Sequence, residues 1–120
     1  MNKHAPKLNK VILYYIFTPI ADPEAVLLWQ KNLCQSLNLK GRILISKHGI
    51  NGTVGGEMAD VKKYVFETRR YAGFKKIKFK WSEGTGNDFP RLRVVVKDEL
   101  VAFGNPNEIE VDENGVIGGG

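Results

Sequence analysis

The stretch SKHGINGTVGG, residues 46–56, decides how the chain folds, because it is a tight turn between strands, an anion-binding loop or a catalytic loop. As a phosphate loop it lacks a Gly-Lys-Ser/Thr ending and joins two strands rather than a strand and a helix. It does not match G-x-G-x-x-G either. As a turn it contains Asn51-Gly52, the strongest short hairpin signal, since both residues tolerate positive φ. Gly49-Ile50-Asn51-Gly52 then joins a strand over residues 42–47, RILISK, to a strand that begins at Thr53-Val54. In the first of these, Ile43 and Ile45 point one way and Arg42, Leu44 and Ser46 the other. Gly55-Gly56 lead into a helix whose free N–H groups could hold an anion. The stretch is thus read as a hairpin with a secondary anion role.

Working outward, residues 11–17, VILYYIF, form a short β-branched and aromatic run that predicts a buried strand, ended by Thr18-Pro19. Asp22-Pro23-Glu24 predicts a helix start, with Asp as N-cap and Pro at the first position. That helix runs to about Leu37, with Val26, Trp29, Leu33 and Leu37 as its apolar stripe and Gly41 as its stop. After the hairpin, residues 57–71 predict a second helix. Met58, Val61, Val65 and Thr68 face inward, Tyr64 and Tyr71 flank them, and Gly73 ends it. Residues 75–81, KKIKFKW, alternate: Ile77, Phe79 and Trp81 against Lys76, Lys78 and Lys80. A polar loop over 82–90 precedes RLRVVVK, residues 91–97, in which Leu92, Val94 and Val96 oppose Arg91, Arg93, Val95 and Lys97. Asp98-Glu99 turns into a last short strand, LVAF.

The order β-α-β-β-α-β, with one or two added strands, predicts an α+β ferredoxin-like sandwich: an antiparallel sheet with both helices on one face. The expected layout is a disordered tail over 1–9, a domain over 10–104, and an acidic linker over 105–120. A chain stopping within a linker is expected of an excised domain.

The 120 residues suit one domain, and a 42% hydrophobic, 26% charged composition is ordinary for a globular protein. No apolar run approaches the ~20 residues needed to span a bilayer. The basic N-terminus is followed by a strand-like run without a cleavage site, so it is not read as a signal peptide. The net charge of +5 hides an asymmetry: all 18 Lys and Arg lie in residues 1–97, whereas six of the 13 acids lie beyond them. A basic body points to an anionic partner, or else to plain solvated surface. If the helices cover Ile77, Phe79, Trp81, Leu92, Val94 and Val96, the open sheet face carries Lys76, Lys78, Lys80, Arg91, Arg93 and Lys97. RNA-binding sheets share this layout, with aromatics added for base stacking. Here the candidate aromatics come from the first strand, Tyr14 or Tyr15. Phosphate contact is therefore better supported than base reading.

Cys34, the sole cysteine, rules out an internal disulfide and reads as a buried thiol. With His4 and His48 it does not make a zinc site of the usual kind, and no cofactor is expected. His48, at a strand end, is either a proton carrier, a phosphate contact or an ordinary exposed histidine. No Ser or Cys near it forms a nucleophile–base pair.

Three blocks in order, YYIFTPIADPEAV (14–26), GRILISKHGINGTVGG (41–56) and FPRLRVVVKDELVAFG (89–104), resemble the N-terminal domain of the rhodanese-related tRNA uridine hydroxylase family. The resemblance covers residues 10 to 104. It implies an acylphosphatase-like, ferredoxin-type fold that precedes a rhodanese domain carrying the reactive cysteine. It also implies an oxidoreductase and the oxygen-dependent 5-hydroxylation of the wobble uridine of tRNA; the single cysteine fits a reducing compartment, so a cytoplasmic place is expected. Gly49, Ile50, Asn51, Gly52 and Thr53 match the family's motif directly. Lys47-His48 stand where the familiar form has His-Glu, and Cys34 does not match the reactive cysteine, so no catalytic residue is carried over. Acylphosphatase activity resembles an arginine in a glycine loop after strand one; here TPIADPE has neither.

Two readings follow. In the first, the domain is a non-catalytic accessory that docks tRNA through its basic face and glycine loop. In the second, it is structural, packing on the rhodanese-like domain with His48 and Asn51 as support near the catalytic cysteine.

Overall fold

The computed structural model describes residues 8–99. The elements are β1 (Asn9–Phe17), α1 (Pro23–Ser36), β2 (Lys40–Ser46), β3 (Gly49–Glu57), α2 (Met58–Arg69), a 3-10 turn at Ala72–Phe74, β4 (Lys80–Glu83) and β5 (Leu92–Val96). They form one mixed sheet in the order β4-β1-β3-β2-β5. The neighbours of β1 and β3 run antiparallel, while β5 joins β2 in parallel, which the expected all-antiparallel sheet did not include. The fold is α+β, ferredoxin-like. The expected strand LVAF, the tail over 1–9 (beyond Leu8 and Asn9) and the linker over 105–120 lie outside the described residues.

The hairpin turn sits four residues earlier than Asn51-Gly52. Its turn is Lys47-His48, and Ser46 pairs with Gly49 across it, with Gly49 at φ 153°. Asn51 and Gly52 lie mid-strand in β3, the central strand, paired with Tyr15 and Tyr14 of β1. Gly52 is needed for space: a Cβ there would sit 2.7 Å from the Tyr14 hydroxyl. Gly55 and Gly56 likewise belong to β3, so they form no loop ahead of α2.

Helix α1 starts as its sequence requires. Asp22 accepts a hydrogen bond from the Ala25 N–H at 3.1 Å, and Pro23 opens the helix. It stops at Asn38, whose φ of 57° is the left-handed conformation that ends helices, while Gly41 lies inside β2. The buried side of α1 is Val26, Gln30 and Cys34, one position round from the expected stripe; Trp29, Leu33 and Leu37 are half-buried beside it. α2 buries Val61, Tyr64, Val65 and Thr68.

The shift of α1 brings Gln30 into a buried polar chain. The Tyr64 hydroxyl donates to Gln30 Oε1 at 2.6 Å, and Gln30 Nε2 donates to Thr68 Oγ1 at 3.2 Å. The Tyr14 and Tyr64 hydroxyls are hydrogen-bonded to each other. With Tyr64 committed as donor to Gln30, Tyr14 donates to Tyr64. One continuous chain thus links the sheet to both helices. Burial raises both phenols well above the ordinary range and pushes the Cys34 thiol up to about 12, so Cys34 stays protonated and inert at neutral pH.

The segment before β4 is not a full strand. The sides are as expected for Ile77, which is buried, and Phe79, which packs against the core. Its backbone, however, follows the 3-10 turn, with the Ile77 N–H donating to the Phe74 carbonyl at 3.2 Å. Arg69 holds it there, donating to the Ile77 carbonyl at 2.9 Å with its guanidinium over the Phe79 ring at 5.0 Å. Trp81 is exposed rather than covered by the helices.

The polar chain makes an asymmetric prediction. Tyr64→Phe leaves both Gln30 Oε1 and the Tyr14 hydroxyl without their partner, and should cost about 2–4 kcal/mol in urea unfolding. Tyr14→Phe removes a donor from an oxygen that still donates, and should cost less than about 1.5 kcal/mol. A second prediction concerns alkali. The folded state holds the Cys34 and tyrosine protons above the pH at which the unfolded chain releases them, near 9.0 for the thiol and 10.0 for the phenols. This stability is complete below about pH 9 and falls as pH rises toward about 12, by roughly 1.4 kcal/mol per unit for each group titrating. Urea midpoints measured from neutrality upward should stay level and then drop.

Candidate nucleic-acid interface

Strand register fixes which side chains stand away from the helices. From β1 these are Val11, Leu13, Tyr15 and Phe17; from β3, Asn51, Thr53 and Gly55; from β2, Arg42, Leu44 and Ser46; from β4, Lys80; from β5, Arg93 and Val95. β4 and β5 are the two opposite edges, so the chain between them must cross the sheet. It does so on the face away from the helices, which is therefore not the open face expected: the Phe89 ring comes close enough to Gly55 that a Cβ there would lie 3.1 Å from it, and Leu44, Ser46 and Asn51 on that face are buried. The crossing loop is braced by Asp88, which accepts from the N–H groups of Thr85 at 2.9 Å and Gly86 at 3.3 Å.

The six expected cations therefore fall into two groups rather than one patch. Lys76, Lys78 and Lys80 line a cleft of about 420 Å³ at the β4 edge, together with Tyr15 and Phe17. Arg91 and Arg93 line a hollow of about 300 Å³ at the β5 edge, with Arg42, Phe89 and Pro90. Lys97 follows β5, its N–H bound to the Ile45 carbonyl at 2.8 Å. Four interstrand spacings, about 19 Å, separate the two edges.

Arg42 was missed as a site residue, although the alternation of β2 had already put it on the outward side. It is the register partner of Arg93, so two guanidinium groups stand on neighbouring strands. Like charges placed directly opposite destabilise a sheet. Among the described residues the ion pairs are Lys10–Glu83 at 2.7 Å and Arg70–Glu67 at 3.1 Å, and none involves these lysines or arginines. An uncompensated arginine pair suits a phosphate, whose oxygens the guanidinium fork matches.

The motif Gly49–Thr53 is a strand, and its members part ways. Ile50 is in the core. His48 is exposed in the turn, and its N–H donates to Ser46 Oγ at 2.9 Å. The turn is clamped to the chain after β1, with the Thr18 N–H on the His48 carbonyl at 2.9 Å and the Ile20 N–H on the Lys47 carbonyl at 3.0 Å. A shallow hollow of about 370 Å³ lies there, between Phe17, Thr18, Pro19, Lys47 and His48. Asn51 is fully buried, and neither of its amide atoms has a hydrogen-bond partner among the described residues. Such a group costs about 1–3 kcal/mol and calls for an explanation outside stability. Asn51→Leu should therefore raise the melting temperature by several degrees, as read by circular dichroism; a lower melting temperature would show that the amide is stabilising after all.

No helix among the described residues is long and apolar enough to cross a membrane. Comparison with known proteins gives the same architecture and a lineage. A profile of the UPF0176 acylphosphatase-like domain matches residues 9–100. The chain is 68% identical over 113 residues to a tRNA uridine(34) hydroxylase of Corynebacterium aurimucosum, covering 94% of this chain and 37% of that one. It is 64% identical over 122 residues to the protein of the same name from Corynebacterium jeikeium, covering 100% of this chain and 40% of that one. The chain thus spans about two-fifths of the length of the relatives it matches. Among solved structures, full-length HypF superposes with a TM-score of 0.63 at 19% identity, over 81% of this chain and 13% of that one. BlrB, a BLUF protein, superposes with a TM-score of 0.62 at 16% identity, over 75% of this chain and 74% of that one. At such identities these two speak for the fold alone.

Proposed function

The chain belongs to the UPF0176 acylphosphatase-like domain family, and from that premise we propose that it is the accessory N-terminal domain of a tRNA uridine(34) hydroxylase, docking tRNA for a catalytic part that lies in the rest of the longer relatives. The observation that carries this reading is the uncompensated cation set on the sheet face away from the helices. Arg42, Arg91 and Arg93 on one edge and Lys76, Lys78 and Lys80 on the other lack carboxylate partners among the described residues. The two groups stand about 19 Å apart at opposite edges of the sheet with the crossing loop between them, so each edge suits its own stretch of nucleic-acid backbone. In this reading the chemistry, oxygen-dependent 5-hydroxylation of the wobble uridine, belongs to a rhodanese-like domain in the cytoplasm. This chain supplies position and charge neutralisation, with no catalytic side chain of its own. Residues 10–104 are the domain and 105–120 the linker to its neighbour.

A second reading keeps the domain structural, packed on the rest of the enzyme. It draws on the opposite side of the molecule, where the exposed Phe66 of α2 stands beside Leu33 and Leu37 over a hollow of about 550 Å³. The two readings separate in one experiment. Changing Lys76, Lys78, Lys80, Arg91 and Arg93 to Gln should weaken tRNA binding and flatten the plot of log affinity against log salt, by roughly 0.7–0.9 for each phosphate that is no longer neutralised. Unchanged affinity and slope would leave the structural reading standing.

A further inference from the structure

On the sheet face away from the helices, two large rings stand exposed. Tyr15 and Phe17 alternate on β1 with Tyr14 and Ile16, so both stand on the sheet face away from the helices. They are 48% and 59% exposed. Their centroids are 5.8 Å apart with planes at 73°, so each leaves ring surface open to a visitor. The pairing of β1 with β4 stops at Leu13, and the outer edge of Tyr14–Phe17 has no strand partner among the described residues. The resulting cleft of about 420 Å³ holds the two rings beside Lys76, Lys78 and Lys80. The crossing loop lies over Gly55, which pairs with Val11 at the other end of β1, and so stands away from these rings.

Exposed rings ask for a flat or apolar partner, and three ammonium groups with no carboxylate partner among the described residues ask for an anionic one. A nucleotide meets both demands in one molecule. The ring geometry also selects its form. Bases within a helical stack lie about 3.4 Å apart and parallel. Two rings 5.8 Å apart and nearly perpendicular cannot both lie on such a stack, but they suit bases drawn out of it. Duplex bases are sealed in their stack, whereas loop bases are free to be splayed onto aromatic faces.

Resting on the docking reading above, we infer that Tyr15 and Phe17, with Lys76, Lys78 and Lys80 beside them, form a stacking site for one or two unpaired nucleotides of a single-stranded RNA loop. Base contact is then part of the interface as well as phosphate contact. The lysines set the salt dependence, and the rings supply a component that salt barely touches.

The test uses a uridine-rich single-stranded RNA heptamer, and the duplex it makes with its complement, titrated into this chain and into the double variant Tyr15→Leu, Phe17→Leu. Leucine keeps the strand apolar, and a circular dichroism melt checks that the variant is folded. Expected are upfield ring-current shifts of the uracil H5 and H6 protons with the single strand, absent with the duplex. The variant should lose those shifts and bind the heptamer about tenfold or more weakly, with the salt slope kept. If the variant binds equally well, or single strand and duplex bind alike without upfield shifts, the stacking site is overturned while charge-based docking stands. If neither RNA nor tRNA binds the unaltered chain, both fall, and the rings belong to a protein contact.

Discussion

The sheet and both helices depend on a hydrogen atom where another residue would carry a methyl group. Gly52 lies in the central strand, and the Tyr14 ring of the neighbouring strand passes across it. Only because that space is free can the Tyr14 hydroxyl reach Tyr64, and through Tyr64 and Gln30 reach Thr68. A side chain at position 52 would push the ring out and break a polar chain whose members are all buried. Apolar packing in the rest of the core sets how tightly the layers press together. This chain of donors and acceptors sets how they are aligned, since each oxygen has one place to go.

The same glycine explains where the sequence was readable and where it misled. Pattern and punctuation gave the strands and helices in the right order. Asp22-Pro23 began α1, and the alternation around Ile77 and Leu92 gave the correct sides. Asn51-Gly52 failed as a turn because glycine answers two different needs, backbone freedom and closeness of approach, and a sequence does not say which. The apolar stripe of α1 was placed one position off because the residue at its centre, Gln30, is polar. Its burial follows from partners on another helix, at Tyr64 and Thr68. Strand polarity escaped for a similar reason: that β5 lies parallel beside β2 follows from the crossing loop over residues 84–91, not from anything within either strand.

The candidate interface was legible as composition and less so as placement. Alternation correctly put Lys80 and Arg93 on one face. It could not reveal that their strands occupy opposite edges, because edge position is a property of the whole sheet order. Arg42 became conspicuous only beside Arg93. Tyr15 was one of two candidates, and register separated it from Tyr14. Phe17, at the strand end, stood out only once β4 was seen to stop short of it. Asn51 kept its place in the motif but not its role as a turn residue, and its buried amide, without a hydrogen-bond partner among the described residues, is a feature that no sequence pattern announces.

The short reach of β4 has a consequence for the protein as a solute. An edge with free N–H and C=O groups is a template on which a second copy could lay its own edge, and such edges are where sheets begin to aggregate. Here the stretch is flanked by three lysines, the residue type most used to keep strands from meeting in this way. The charges thus act as gatekeepers when the cleft is empty. Anything that cancels them without filling the cleft, such as high salt or a stray polyanion, removes the guard and leaves the edge open, so the chain's colloidal behaviour is tied to the same ammonium groups as its recognition.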